Sequence, residues 1–583
     1  MTYKTEVASV STLGALSHVY DTTLRALSDN KGCSLVRFIP QIMLMVCALW
    51  GAAAQAQTQV LIGGALKVCS SSTPEFCSEP PSLNAPHLPL YQLDEHAIER
   101  MLRAMPDAFA QHKEALAAAL RAIPSNEALT RSALVDKWFA QDAKAQLLDI
   151  EIQDYVLDSL QVAHTDTRTK HSKEQVFRDL TASDATRDIL SFVANAVRLA
   201  AKEQSGKAKV VSITASSRDP YASADYYQQL FSFDDIDSEW LALTPALVQA
   251  ISVGNCERLE EFRNNAGVFN RARVYPDLVA QEQALCEQGV DALLTHISSA
   301  TAVVFNGGDQ SRALTVLFDS QGQPYPWTQA LRTAPVIVGT SAGTALQSGG
   351  NNIHGPVPMI TSGDAIVLLS TEHAQKKESA PSALAGFEAL SYVQSGGLGS
   401  FSDGVLDTHF SERNRTLRLH NLLLQTGQGS GYGVDETSAL VVITSQRGNI
   451  ATVLGKSGVV KITPLDTQRF SYSYYPAGVR LQYTDNQWRL LAKTPQEPSV
   501  SAKGQTLPNT RFNDILYDGK LRSLTQAMCL TNTDKALAQQ YWQGKMWDFT
   551  LEASEATTMF NTSTNNNACV IEDLIVSYTL RSE

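Results

Sequence analysis

The chain has 583 residues, 44% hydrophobic and 18% charged, enough to bury a large core and more than one structural unit. That composition excludes the disordered and fibrous classes. A formal net charge of -12 argues against nonspecific nucleic-acid binding, which relies on a basic surface.

Residues 1–56 read as an N-terminal extension ending in an export signal. Arg37 precedes the apolar run from Phe38 to Trp50, and small residues follow at Ala54 and Ala56. A positive flank, a short apolar stretch and a small-residue site predict cleavage after Ala56 and an exported chain, periplasmic or extracellular. The run is shorter than the roughly 20 residues a spanning helix needs and holds Pro40, so no stable membrane anchor is expected after cleavage. Cysteine usage agrees with export. Cys33 and Cys47 leave with the signal, and an even set remains: Cys69, Cys77, Cys256, Cys286, Cys529 and Cys569. Neighbour pairing gives Cys69–Cys77, Cys256–Cys286 and Cys529–Cys569. No pair has zinc-ligand spacing, so no structural metal is expected.

The mature chain opens with Gln59-Val60-Leu61-Ile62-Gly63-Gly64, a buried strand running into a loop. From about 67 to 185 the β/α rhythm breaks. A Pro/Ser-rich loop with Cys69 and Cys77 gives way to helical patterns at 94–102 and 108–122, which reads as a helical insertion. The rhythm returns with a helix at 189–201, and strands are expected at 208–215, 302–305, 335–338, 365–369 and 439–443. Alternation of this kind predicts an α/β fold with a doubly wound, mostly parallel sheet over residues 57–446. Beyond 447 short strands and turns predict a small β-rich C-terminal extension over 447–583.

Four segments carry chemistry. Gly339-Thr340-Ser341-Ala342-Gly343 follows the strand Val336–Val338. A G-x-S-x-G turn there exposes the serine at the strand end, and the Ala342 N–H at the helix start is placed to stabilise an oxyanion. Phe305-Asn306-Gly307-Gly308-Asp309-Gln310 also follows a strand, and its adjacent glycines offer bare N–H groups as a second oxyanion donor. Leu406-Asp407-Thr408-His409 precedes a helical stretch bearing Arg413, Arg415 and Arg418, and puts a histidine at a strand end. Gly431-Tyr432-Gly433-Val434-Asp435-Glu436 supplies acids able to hold a histidine tautomer. Each segment taken alone also has a plain reading, as a turn or a solvated helix face. Esterases and lipases place the acid before the histidine, whereas Asp435 and Glu436 come after His409.

The ordered set LIGGAL, ITASS, FNGGDQSR, VGTSAGT, LDTHFSERNRTLRL and GYGVDET resembles cyanophycinase and the wider serine-peptidase family that includes aspartyl dipeptidase E. The resemblance covers 59–66 and roughly 188–444. It implies a sheet like that of class I glutamine amidotransferases and flavodoxins. It further implies Ser341 as nucleophile, His409 as base and Glu436 as triad acid, with Asp435 the alternative. Gln310, Asp407, Arg413, Arg415 and Arg418 become substrate contacts. The implied reaction is hydrolysis of cyanophycin, a poly-aspartate bearing arginine on each side chain, to β-Asp-Arg dipeptides, with no cofactor. A related aspartyl or isoaspartyl peptide is the alternative substrate, and a non-catalytic binding relative is the alternative class. Relatives suggest a homodimer. The sequence departs at Thr408, where many cyanophycinases have glutamine.

Overall fold

A computed structural model describes residues 56–82, 89–124, 127–163, 173–204, 206–363, 390–446, 448–491, 506–507, 512–562 and 568–581. Residues 1–55 of the extension and export signal read at 1–56, and the strand expected at 365–369, lie outside the described residues.

The apolar runs of the sequence become strands because each can be covered on both faces. β1 (Gln57–Ile62), β2 (Lys209–Ile213), β3 (Asp237–Trp240), β4 (Ala302–Phe305) and β5 (Val336–Thr340) lie side by side in the order β1-β5-β4-β2-β3, all parallel. Successive residues point to opposite faces. Val210, Val304, Val336 and Val338 therefore pack under the helix Asp184–Glu203, while Val211, Ile213, Val303, Phe305 and Ile337 pack under the helices Pro245–Val253 and Pro276–Ser298. The first of these helices starts where the Ser183 side chain accepts the Thr186 N–H, and it buries Ile189, Leu190, Val193, Ala194 and Val197 at helical spacing.

From residue 405 the chain alternates between two sheets. β6 (Val405–Thr408) and β7 (Gly431–Val434) pair in parallel and begin a second sheet. β8 (Ser438–Thr444) and β9 (Ile450–Gly455) return to the first sheet, antiparallel, beside β1. β10 (Gly458–Asp466) and β11 (Arg469–Pro476) extend the second sheet from β7. β12 (Arg480–Thr484) and β13 (Gln487–Leu490) close the edge of the first. β14 (Lys535–Trp542), β15 (Lys545–Glu552) and β16 (Cys569–Leu580) fill the second.

Among the described residues each of these two sheets reaches nine strands. The first is mixed: its parallel half corresponds to the βα alternation read from the sequence, and its antiparallel half comes from 438 onward. The segment 447–583 adds strands to both sheets and contains the helix Lys520–Leu530. The insertion has its own core, in which Leu102, Leu116, Leu120, Leu134, Trp138 and Tyr155 meet. Bridges join Cys69–Cys77, Cys256–Cys286 and Cys529–Cys569. No described helix is long and apolar enough to cross a membrane.

Candidate active site

Strand register brings the glycine-rich turns to one edge. Ile62 pairs with Thr340, and Phe305 with Gly339, so Gly63, Asn306 and Ser341 follow three adjacent strand ends. In the second sheet Thr408 pairs with Val434, which puts His409 and Asp435 at neighbouring ends.

Backbone bonds from residues 62–64 stitch the two edges together. The Ile62 carbonyl accepts the Ser341 N–H, the Gly63 carbonyl accepts the His409 N–H, and the Gly64 carbonyl accepts the Thr437 N–H, each at 2.9 Å. Gly64, at φ +106°, lies so close that a Cβ there would sit 2.4 Å from the His409 ring. The glycine pair that reads in the sequence as a loop start is the cradle of the histidine.

The serine turn is equally tight. A Cβ on Gly343 would lie 2.2 Å from the Phe305 carbonyl, so strand and helix approach this closely only with glycine there. Ser341 takes φ +53° and ψ -114°, a strained conformation for a side-chain-bearing residue. Ala342 opens the short helix that follows, where the first N–H groups have no intrahelical acceptor.

The three residues form a hydrogen-bonded relay. Ser341 Oγ is 2.7 Å from His409 Nε2, and His409 Nδ1 is 2.7 Å from Glu436 Oε1. His409 is buried, and desolvation holds its pKa below the usual 6.5, with Arg413 and Arg415 adding to the depression and Glu436 opposing it. A neutral imidazole at pH 7 is the form that accepts a serine proton.

Asp435 does something else. It is fully buried, accepts the Ser411 N–H at 2.9 Å and meets Arg522 Nη1 at 2.6 Å. Burial pushes its carboxyl up to about 6, against the pull of Arg522. The same guanidinium nitrogen lies 2.7 Å from Glu412, whose other oxygen accepts the Glu436 N–H at 3.0 Å. Arg522, on the helix Lys520–Leu530, thus ties the histidine loop to the acid turn. It lies beyond every motif, and nothing in its local sequence marks it.

The remaining expected contacts divide. The buried Gln310 amide donates to the Ile360 carbonyl at 2.6 Å, and so positions that segment. Asp407 is wholly buried against Arg418, whose Nε is 2.7 Å away, and its charged form is stabilised by Arg418 and Arg415. Those two residues are spent largely on each other. Arg415 also donates to the Thr408 carbonyl at 2.8 Å, and burial lowers its pKa to about 9. Arg413 is exposed, with Nε 4.0 Å from Glu436. Gly307 abuts the serine, and its N–H donates to the Tyr227 hydroxyl at 3.1 Å. Gly308, at φ +139°, is held against the Ser216 carbonyl. A cavity of about 290 Å³ opens beside Ser341 and His409. Among the described residues no group of His, Cys, Asp and Glu side chains has metal-binding geometry.

The α/β fold thus brings a serine, a histidine and a glutamate side chain together at the strand ends, and the chain has a distant likeness to proteins named cyanophycinase. A 204-residue stretch, 34% of the chain, is 26% identical to cyanophycinases from Synechococcus elongatus and Thermosynechococcus vestitus. The match spans 52% of each, so the chain spans about half the length of the curated relatives it matches. Among solved structures, a peptidase from an acI-B1 Actinobacterium aligns over 52% of this chain and 93% of its own at 13% identity, with a TM-score of 0.28. No family model matches the chain.

Proposed function

We propose that the chain is an exported serine-type peptidase of cyanophycinase type, built on a glutamine-amidotransferase-like sheet and cleaving aspartyl amide bonds. The observation that carries this reading is the relay from Ser341 through His409 to Glu436, with 2.7 Å at each link. His409 Nε2 takes the Oγ proton as Ser341 attacks the aspartyl carbonyl. The Ala342 N–H, with that of Gly308, faces the developing oxyanion, the expected Gly307 N–H being given instead to the Tyr227 hydroxyl. Glu436 stabilises the imidazolium, which then protonates the leaving amine, and water releases the acyl group. The three disulfides suit an oxidising compartment. A homodimer is part of the proposal on kinship alone.

Cyanophycin is the substrate the distant likeness favours. Its anionic groups suit the exposed Arg413 and the neighbouring Arg415. One observation favours other aspartyl or isoaspartyl peptides instead: Asp407, the carboxylate expected to meet a substrate guanidinium, is already neutralised by Arg418. Incubation with cyanophycin beside α- and β-aspartyl dipeptides decides between them. Release of β-Asp-Arg from the polymer supports the first, and turnover of the dipeptides alone supports the second.

A further inference from the structure

We propose that the Tyr227 hydroxyl belongs to the oxyanion-stabilising machinery, donating a hydrogen bond to the substrate oxygen that becomes negative when Ser341 attacks. The proposal rests on the reading of Ser341 as nucleophile.

Tyr227 lies on the helix Ala224–Leu230, far in sequence from the four motif segments. Its oxygen accepts the Gly307 N–H at 3.1 Å. A Cβ on Gly307 would be 3.4 Å from Ser341 Cβ and 3.9 Å from Oγ. The phenol therefore stands one hydrogen bond from the residue that abuts the nucleophile. Tyr227 lines the same cavity as Ser341 and His409, with Tyr226 and Phe231 forming its aromatic wall. The Tyr226 ring holds it edge-on at 5.3 Å between centroids.

The direction of that bond matters. An oxygen that accepts from a backbone N–H has its own proton left to donate, and accepting strengthens the donation. Burial raises the phenol to about 12, so it remains protonated at neutral pH. The Gly307 N–H, spent on Tyr227, then acts on the oxyanion through the phenol. A fixed O–H aimed where charge develops is the kind of donor that stabilises a tetrahedral intermediate.

The opposite reading is a plug, in which the phenol occupies Gly307 and blocks the site. Labelling by a fluorophosphonate separates the two without knowledge of the substrate. Ser341 Oγ bonds to phosphorus, fluoride leaves, His409 takes the serine proton, and the phosphoryl oxygen sits where the oxyanion would. Tyr227→Phe keeps the ring and removes only the hydroxyl. The expected result is a bonding rate lower by about 10²-fold at an unchanged half-saturating probe concentration, with an unchanged far-UV circular dichroism spectrum. A rate that stays the same or rises overturns the role of Tyr227 while leaving Ser341 as nucleophile. A changed spectrum or a raised half-saturating concentration, with the bonding rate intact, makes the hydroxyl structural and overturns it too. No labelling of Ser341 in the unaltered protein removes the nucleophile reading, and this proposal with it.

Discussion

The insertion at 67–185 and the segment beyond 447 are two additions to one α/β frame, and they join it in different ways. The insertion packs its helices around a core of its own, which Phe269 of the frame enters, and is bonded to the frame at several points, among them Arg218 gripping Asp158 at 2.8 and 2.9 Å and Arg271 bonded to Gln161 at 3.1 Å. The C-terminal segment has no such separateness. Its strands extend both sheets, and its Arg522 holds the His409 loop to the Glu436 turn. The second addition thus also bears directly on the geometry of the relay.

Changes within the relay set the scale for that contrast. Glu436→Gln removes the partner that fixes the His409 tautomer and should lower kcat by about 10⁴-fold, measured on whichever aspartyl substrate turns over. Gly64→Ala adds a methyl 2.4 Å from the imidazole. Displacement of the ring by about 1 Å should cost about 10²-fold in kcat.

The two additions are compared by removing one arginine from each. Arg522→Ala leaves the buried Asp435 without its cation, which should cost about 3–5 kcal/mol in denaturant unfolding. It should also lower kcat, because Glu412 and Asp435 no longer brace the histidine loop and acid turn. Arg218→Ala should cost about 1–3 kcal/mol and leave kcat of the folded enzyme unchanged. Equal effects of both variants on kcat would erase the distinction.

The smallest effect is in pH dependence. The proposed mechanism requires neutral His409, so activity should be lost as pH falls through the pKa of that histidine. Because burial and the nearby arginines hold that pKa low, the acid limb of kcat/KM should have its midpoint below 6.5. Arg413→Ala removes one depressing charge and should move the limb to higher pH.

The sequence was most legible where function needs glycine. The turns around Ser341, Gly307 and Gly63 are marked because close backbone approach excludes side chains, and such constraints show locally. The β-rich character of the C-terminal segment was visible in its short apolar runs, but its division between two sheets depends on pairings between residues far apart in the chain. The same reason hid Arg522 and Tyr227, which act across 87 and 80 residues. Asp435 and Glu436 are adjacent acids, and only the direction of each side chain separates one bonded to Arg522 from one bonded to His409. Asp407 and Arg418 were expected as substrate contacts by resemblance alone, and their pairing with each other depends on the fold that brings strand and helix together.

The central claim is that Ser341 is the nucleophile of an aspartyl-bond peptidase. Product analysis on cyanophycin and aspartyl dipeptides, run for the unaltered chain and for Ser341→Ala with matched Tm, tests it directly. The account predicts dipeptide or amino-acid release by the first and a loss of about 10⁶-fold in the second. Release at an undiminished rate by Ser341→Ala, or no release by either, would contradict it.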